Sequence, residues 1–214
     1  MHPSVFLVDE HAIFRDAVAE LIQKRTRFEI VGEAADGPTA LTQIPELKPD
    51  IVLLDAALPR LSGIEVTRRL ARCGSVPRVL VLSAQGGGPA LKQALAAGAA
   101  GCLSKADPSE ELIEGIEAVA AGRRYVSPSL AHHLIEIVAS DDACDEGGAG
   151  NLTSREREIL QLVAEGLSSK EIASSLNIST RTVESHRARV MEKLGIHKVS
   201  GLVRYAIREG LLSP

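Results

Sequence analysis

The sequence predicts an α/β domain built on a doubly wound, five-stranded parallel sheet, followed by a second, smaller domain made of four helices. Three observations predict this. Short runs of branched apolar residues alternate with amphipathic helical segments along the first half of the chain. An acidic, glycine-rich stretch then interrupts the pattern, and after it only helix signals remain. Strands that alternate with helices are typical of parallel sheets with helices on both faces.

Five segments carry the strand signal, namely 4–8 (SVFLV), 29–34 (EIVGEA), 51–55 (IVLLD), 78–83 (RVLVLS) and 101–105 (GCLSK). Each is rich in Val, Ile and Leu and short enough for a buried strand. The helix after the first strand is expected to cover one face of the sheet with a single apolar stripe. The residues of that stripe are Ile13, Phe14, Ala17, Val18, Leu21 and Ile22.

The stretch DDACDEGGAG, residues 141–150, has no apolar periodicity and is predicted to be a flexible linker. A helix that begins at Ser127 and Pro128 is expected to precede it. We therefore predict a first domain over residues 1–122, a linker helix and flexible linker over 123–150, and a second domain over 151–214. The first 150 residues hold 14 Lys and Arg against 21 Asp and Glu, and the remaining residues hold 10 against 7. This difference in charge is expected when only one of two domains binds nucleic acid, because the binding domain is then the basic one.

The helices of the second domain are marked by their caps. Thr153 with Glu156, and Ser168 with Glu171, have the spacing of capping boxes. Ser179 is predicted to cap a third helix that Gly195 ends, and a fourth helix is expected over about residues 199–209.

The composition excludes several classes of protein. No stretch approaches the roughly 18 apolar residues of a membrane span, and the amino terminus does not read as a signal peptide, so a cytoplasmic protein with no membrane partner is expected. Three cysteines without a C-x-x-C motif do not indicate zinc or redox chemistry.

Polar residues collect where the predicted strands end. Asp9 and Glu10 follow the first strand, Asp55 ends the third, Ser83 the fourth and Lys105 the fifth. Ligands bind at this edge of parallel α/β sheets. Three clustered carboxylates favour a hard cation such as Mg²⁺, and one aspartate can act as a nucleophile toward a phosphoryl group that Lys105 neutralises and Ser83 hydrogen-bonds. Considered alone, each of these residues would be interpreted as a solvated loop residue.

The pattern D-E…D-x-x-x-P…S…K resembles the receiver domains of response regulators over about residues 1–122, and Pro59 and Gly63 match as well. The resemblance implies a flavodoxin-like fold and a histidine kinase as phosphodonor. It implies that Asp55 accepts the phosphoryl group and that Lys105 bridges to the phosphate. It also implies that Glu10, Asp55 and the Ala57 carbonyl bind Mg²⁺, with Asp9 acting through water.

Two positions depart from the receiver pattern. Cys102 stands where the family usually has an aromatic residue that reports phosphorylation, so an aromatic switch at this position is ruled out. Glu10 replaces a second aspartate, which lengthens one ligand by a methylene, and Mg²⁺ binding is expected to survive this change.

Residues 151–212 resemble the LuxR-type helix-turn-helix domain almost throughout the run LTSREREILQLVAEGLSSKEIASSLNISTRTVESHRARVMEKLG. The third helix should enter a DNA major groove, with base-facing and phosphate-facing side chains around it. The predicted DNA-binding residues are Lys170, Thr180, Arg181, Thr182, Glu184, Ser185, Arg187, Ala188, Arg189 and Lys193. Two copies on promoter half-sites are expected. The last helix carries more apolar residues than one small core needs, so part of its stripe is expected to form the dimer contact. The residues of that stripe are Val199, Leu202, Val203 and Ala206.

Both resemblances identify a two-component response regulator of the NarL/FixJ type, a DNA-binding regulator rather than an enzyme. The main enzyme alternative, a haloacid dehalogenase-type phosphatase, needs a second aspartate two residues after the nucleophile, where this chain has Ala57. A second alternative is a LuxR-type regulator whose atypical receiver senses a small molecule or acts without phosphorylation. His11, which follows the first acidic pair, is expected at the surface rather than as a metal ligand.

Overall fold

The computed structural model describes residues 2–72, 77–84, 88–133 and 152–212, without the side chains of residues 88 and 89. The predicted linker, 141–150, lies outside the described residues, as does the later part of the helix that precedes it. The contacts divide the chain into two compact units, Met1–Ser140 and Asp141–Pro214.

The first unit is a parallel sheet with strand order β2-β1-β3-β4-β5-β6. The first five strands lie where the sequence predicts them. The predicted parallel sheet is confirmed, and among the described residues it has one strand more than the predicted five, because Tyr125–Val126 pairs with β5. The elements are β1 Ser4–Val8, α1 Ala12–Arg25, β2 Glu29–Ala34, α2 Gly37–Leu47, β3 Ile51–Asp55, α3 Gly63–Leu70, β4 Arg78–Ser83, α4 Gly88–Ala96, β5 Gly101–Ser104, α5 Ser109–Ala120 and β6 Tyr125–Val126, and residues 128–133 are helical (α6).

Side chains of the central strands alternate between two cores, as the period of an extended chain requires. Val52 and Leu54 point toward α2, α3 and α4, whereas Ile51 and Leu53 point toward α1 and α5. The sheet is therefore covered on both faces, which leaves the strand ends as the places where polar chemistry can be exposed.

The packing of α1 differs from the predicted stripe. Val18 and Ile22 are buried and Phe14 is half-buried, whereas Ile13 is 85% exposed and Ala17 is exposed. Phe14, Val18 and Ile22 are four residues apart and share one helix face. Ile13 and Ala17 lie on the adjacent face, which is too far round the helix to reach the sheet.

Over its described residues, 152–212, the second unit has four helices around its own core: α7 Ser154–Ala164, α8 Ser169–Ser175, α9 Thr180–Leu194 and α10 Val199–Arg208. Both predicted capping boxes are present at α7 and α8. Ser179 caps α9, and Gly195 ends it in the left-handed conformation at φ 63°. Among the described residues, no helix has both the length and the apolar character that crossing a bilayer demands.

Candidate functional site

Asp55 lies at the carboxyl end of the central strand β3 and is 1% exposed. One carboxylate oxygen, Oδ1, accepts a hydrogen bond from the Ala57 N–H at 3.1 Å. The loop that follows returns to the strand end, where the Gly63 N–H donates to the Ala56 carbonyl at 2.9 Å. A Cβ atom at Gly63 would lie 1.9 Å from the Asp55 carbonyl oxygen, so only glycine permits this close approach.

Lys105 joins the two buried carboxylates of the site. Its Nζ lies 2.6 Å from Asp55 Oδ2 and 2.5 Å from Asp9 Oδ2, and 4.8 Å from the centre of the Phe14 ring. The Lys105 N–H donates to the Ser83 carbonyl at 2.8 Å, which fixes the backbone of the lysine to the end of β4. The structure thus brings together Asp9, Asp55 and Lys105 from three strand ends.

The pKa values of the site reflect its burial and its charges. Burial raises the pKa of the Asp55 carboxyl above its ordinary value and the Asp9 charge adds to this, against the opposing effect of Lys105. Burial lowers the pKa of Lys105, but its hydrogen bonds to Asp55 and Asp9 outweigh this and raise it overall. The ammonium therefore stays charged beside the carboxylates.

His11 is exposed, as the sequence predicts, but it also reaches into the site. The backbone N–H of His11 donates to Asp9 Oδ1 at 2.9 Å, and the ring Nδ1 lies 3.1 Å from the same oxygen. Arg15 donates to the Asp9 carbonyl at 2.6 Å. The signal in the sequence is the Asp-x-His spacing, because an aspartate side chain commonly binds the N–H two residues further on.

The donor set suits a metal ion. Asp9, His11 and Asp55 each offer one ligand atom, and these atoms all lie within 4.8 Å of one another. Two carboxylates are the oxygen donors that hard divalent cations prefer. Glu10 is exposed and lies outside this group of atoms, and Ala57 is half-buried beside Asp55. The pocket of Asp9 and Asp55 can therefore hold a divalent cation.

Ser83 and Cys102 occupy neighbouring strands near the site. Ser83 is half-buried at the end of β4 and pairs in register with Ser104 of β5. Cys102 is 3% exposed in the core, and burial raises the pKa of its thiol to about 12. A buried, protonated thiol packs as a small apolar side chain and has no role in the polar site.

The α9 helix of the second unit presents a polar face. Val183 and Val190 are buried in the core, and the other side of the helix is open. Of the predicted DNA-binding residues, those that the structure shows as exposed are Lys170, Thr180, Arg181, Thr182, Glu184, Ser185, Ala188, Arg189 and Lys193. The Ser185 hydroxyl donates to the Arg181 carbonyl at 3.0 Å.

Two predicted DNA-binding cations also have partners within their own domain. Lys193 Nζ lies 2.7 Å from an oxygen of Glu156, a buried carboxylate that is also part of the α7 capping box. Arg187 is half-buried and donates to the Ser169 hydroxyl at 2.8 Å. Lys193 therefore connects α9 to α7, and Arg187 connects α9 to α8. The sequence pattern does not reveal this structural role.

The predicted dimer stripe on α10 is only partly available. Leu202 and Ala206 are 1% and 0% exposed because they pack in the core of their own domain. Val199 is 44% exposed and Val203 is half-buried. The part of the predicted stripe that is accessible for a dimer contact is therefore Val199 and Val203.

Known proteins resemble both units. The response regulator receiver domain family matches residues 5–117, and the family of bacterial regulatory proteins of the luxR type matches residues 150–206. The response regulator UvrY of Escherichia coli K12 is 32% identical, over 97% of this chain and 95% of that protein. The oxygen regulatory protein NreC of Staphylococcus aureus is 33% identical, over 97% of this chain and 98% of that protein.

A solved structure of RcsB from Salmonella enterica serovar Typhimurium, bound to a promoter in the presence of the phosphomimetic BeF3-, is also similar. It is 25% identical with a TM-score of 0.62, and the match covers 96% of this chain and 98% of that chain.

Proposed function

Because the chain belongs to the response regulators that combine a receiver domain with a LuxR-type DNA-binding domain, we propose that phosphorylation of Asp55 controls its binding to promoter DNA. The proposed phosphodonor is a partner histidine kinase. The receiver would span residues 1–122 and the LuxR-type domain 151–214, joined by 123–150. Because a transcription regulator acts on the chromosome, the proposed function is a cytoplasmic one.

The observation that carries the proposal is the buried Asp55 carboxylate at a strand end, 2.6 Å from the Lys105 ammonium. A carboxylate oxygen of Asp55 attacks the phosphorus of the donor, so that a P–O bond forms as the bond to the kinase imidazole breaks. The Lys105 ammonium then pairs with the negatively charged phosphoryl oxygens, and Ser83 donates a hydrogen bond to one of them. The protein resets when the aspartyl phosphate is hydrolysed and turns over no other substrate.

Mg²⁺ is the proposed cofactor of this site. Asp9, Glu10, Asp55 and the Ala57 carbonyl would hold it, with His11 orienting Asp9 through the contacts to its Oδ1. Glu10, which is exposed, would supply the third carboxylate. When bound, Mg²⁺ supplies positive charge that offsets the phosphoryl oxygens.

The proposed DNA interface is the open face of α9. Arg181, Glu184, Ser185 and Ala188 would face base edges, and Lys170, Thr180, Thr182 and Arg189 would face phosphates. Arg187 and Lys193 would contribute charge at the border while they hold α9 in place. The resemblance to RcsB bound to a promoter supports this interface. A homodimer on two half-sites would double the contact, and Val199 and Val203 are the residues of the predicted apolar stripe that remain available for it.

Incubation with acetyl phosphate and Mg²⁺ tests the phosphorylation step. Intact mass should show one added phosphoryl group on the wild type and none on Asp55→Asn. Asp16→Asn, which changes an exposed carboxylate of α1, is the control and should label like the wild type. An Asp55→Asn protein that labels to the wild-type extent would rule out Asp55 as the acceptor.

An atypical receiver is the second candidate function, and the buried Cys102 in place of an aromatic residue favours it. In that case the wild type would bind its promoter equally well with and without acetyl phosphate. The proposed function requires the two affinities to differ.

A further inference from the structure

Arg15, near the start of α1, connects the loop of residues 9–11 to the sheet. Its Nη1 donates to the Asp9 carbonyl at 2.6 Å, and its Nε donates to Glu33 Oε2 of β2 at 3.1 Å. Side chains of a helix point back toward its amino end, so a residue one turn into α1 can reach the loop that precedes the helix. The Arg15 side chain is 17% exposed. Arg15 therefore holds the loop between α1 and β2.

Asp9 is fixed by its backbone as well as by its carboxylate. Its N–H donates to the Ala34 carbonyl at 3.1 Å, and its own carbonyl accepts the hydrogen bond from Arg15. With the backbone held in this way, Oδ1 contacts His11 and Oδ2 lies 2.5 Å from Lys105 Nζ. Because Arg15 binds the carbonyl of Asp9, it leaves the carboxylate oxygens to the site.

The charge of Arg15 is balanced by a carboxylate outside the site. An unpaired guanidinium near Asp9 would repel a divalent cation that binds to the same residue. The ion pair of Arg15 with Glu33, whose side chain is 36% exposed, offsets that charge on the β2 side. The planar guanidinium can therefore hold both partners in a fixed geometry at little electrostatic cost to cation binding.

We propose that Arg15 is a positioning residue that orders Asp9 and Glu10 for a divalent cation. This inference rests on the Mg²⁺ site of the proposed function. An ion binds more tightly when its ligands are ordered beforehand, because less of the binding free energy is lost in ordering them. Without Arg15, the Asp9 carbonyl loses its contact with α1, and the ion itself must order the loop. Arg15 thus acts on the affinity for the cation through Asp9.

Mn²⁺ binding to the full-length protein tests this role without a phosphodonor, because Mn²⁺ accepts the same oxygen ligands as Mg²⁺. The EPR signal of free Mn²⁺ falls as the ion binds, so a titration gives the dissociation constant. Arg15→Met should raise this constant by about tenfold, the usual effect of losing a group that orients a metal ligand. Glu33→Gln should raise it by a smaller factor, because the charge of Arg15 is then unbalanced. Arg25→Met, which breaks an exposed ion pair with Glu110 at the end of α1, is the control and should bind like the wild type.

Labelling by acetyl phosphate at increasing Mg²⁺ separates positioning from a general structural defect. Arg15→Met should need about tenfold more Mg²⁺ for the half-maximal rate and reach the wild-type rate at saturation, whereas a defect in folding would lower the rate at every concentration. A wild type that neither binds Mn²⁺ nor labels would overturn the proposed function and this inference with it. If the wild type binds and labels, but Arg15→Met and Glu33→Gln both bind Mn²⁺ with wild-type affinity, the positioning role alone is overturned. If Arg15→Met does not fold in EDTA, wild-type affinity of Glu33→Gln is enough to overturn it.

Discussion

Lys105 is the residue whose charge balances the buried carboxylates of the receiver. Its side chain is 14% exposed, and those of Asp9 and Asp55 are 3% and 2% exposed. Removing one partner of a buried ion pair leaves uncompensated charge, which typically costs about 3 kcal/mol. Lys105→Met should therefore lower the free energy of unfolding by about that amount in EDTA, and Mg²⁺ should restore part of the loss.

Urea denaturation in EDTA and in Mg²⁺ measures this effect. Lys24→Met is the control, because Lys24 pairs with Glu20 on the exposed surface of α1, where solvent screens the pair and its loss should change stability little. Equal stability of the two variants under both conditions would show that Lys105 does not balance the site.

Lys193 should act on stability as well as on DNA. Its hydrogen bond and those of Thr153 overcome the effect of burial and lower the pKa of Glu156 below the ordinary 4.5. A carboxyl with a lowered folded pKa stabilises the protein above pH 4.5, and this contribution is lost as the pH falls through the folded pKa. Lys193→Met should therefore reduce stability at neutral pH, and the difference from wild type should shrink toward acid pH.

Thermal unfolding of the full chain between neutral and acid pH checks this prediction. Arg189→Ala is the control, since Arg189 is exposed on α9 and should change DNA affinity with little change in stability. A Lys193→Met protein as stable as Arg189→Ala at neutral pH would contradict a structural role for the pair with Glu156.

Single residues were predictable where chain position alone determines their place. Asp9, Asp55 and Lys105 end parallel strands, and such ends meet at one edge of the sheet, so the sequence could predict their meeting. The pair of Lys193 with Glu156 depends on how the helices pack. That packing is set by tertiary contacts between segments far apart in sequence, which no local pattern encodes.

At the scale of elements, the first residue of α3, Gly63, packs directly against the backbone of Asp55. A Cβ atom at Gly63 would meet the Asp55 backbone, which cannot move aside as a side chain can. Gly63→Ala should destabilise the receiver by about 3 kcal/mol and reduce labelling by acetyl phosphate. Gly115→Ala in α5, whose Cβ would meet only side-chain atoms at 3.0 Å or more, should label normally. Normal labelling and stability of Gly63→Ala would show that the close approach is unnecessary.

Elements with strong patterns were predicted well, and short ones were not. The first five strands and the caps of α7, α8 and α9 follow from apolar runs and from side chains that satisfy helix ends. Strand β6 has two residues, too few for any periodicity, and forms because β5 offers an unpaired edge. The error in α1 arose because adjacent residues on a helix were assigned to one stripe although only one face reaches the sheet.

At the scale of the whole molecule, the two units have separate cores, and residues 151–214 carry a net positive charge whereas residues 1–150 carry a net negative one. Because the second unit buries its own apolar residues, we expect a fragment that lacks residues 1–146 to fold and to bind promoter DNA without phosphorylation. Fluorescence anisotropy with labelled promoter DNA would measure the affinity. A folded fragment that binds no better than the unphosphorylated full-length chain would mean that the receiver does not inhibit, and that it acts by bringing two DNA-binding domains together.

The most direct test of the account is promoter affinity, measured for wild type and Asp55→Asn with and without acetyl phosphate and Mg²⁺ at one fixed salt concentration. Asp16→Asn serves as the control. The account predicts that acetyl phosphate raises the affinity of wild type and of Asp16→Asn by about tenfold or more and leaves Asp55→Asn unchanged. An equal response of Asp55→Asn, or a fully labelled wild type with unchanged affinity, would contradict control of DNA binding by phosphorylation of Asp55.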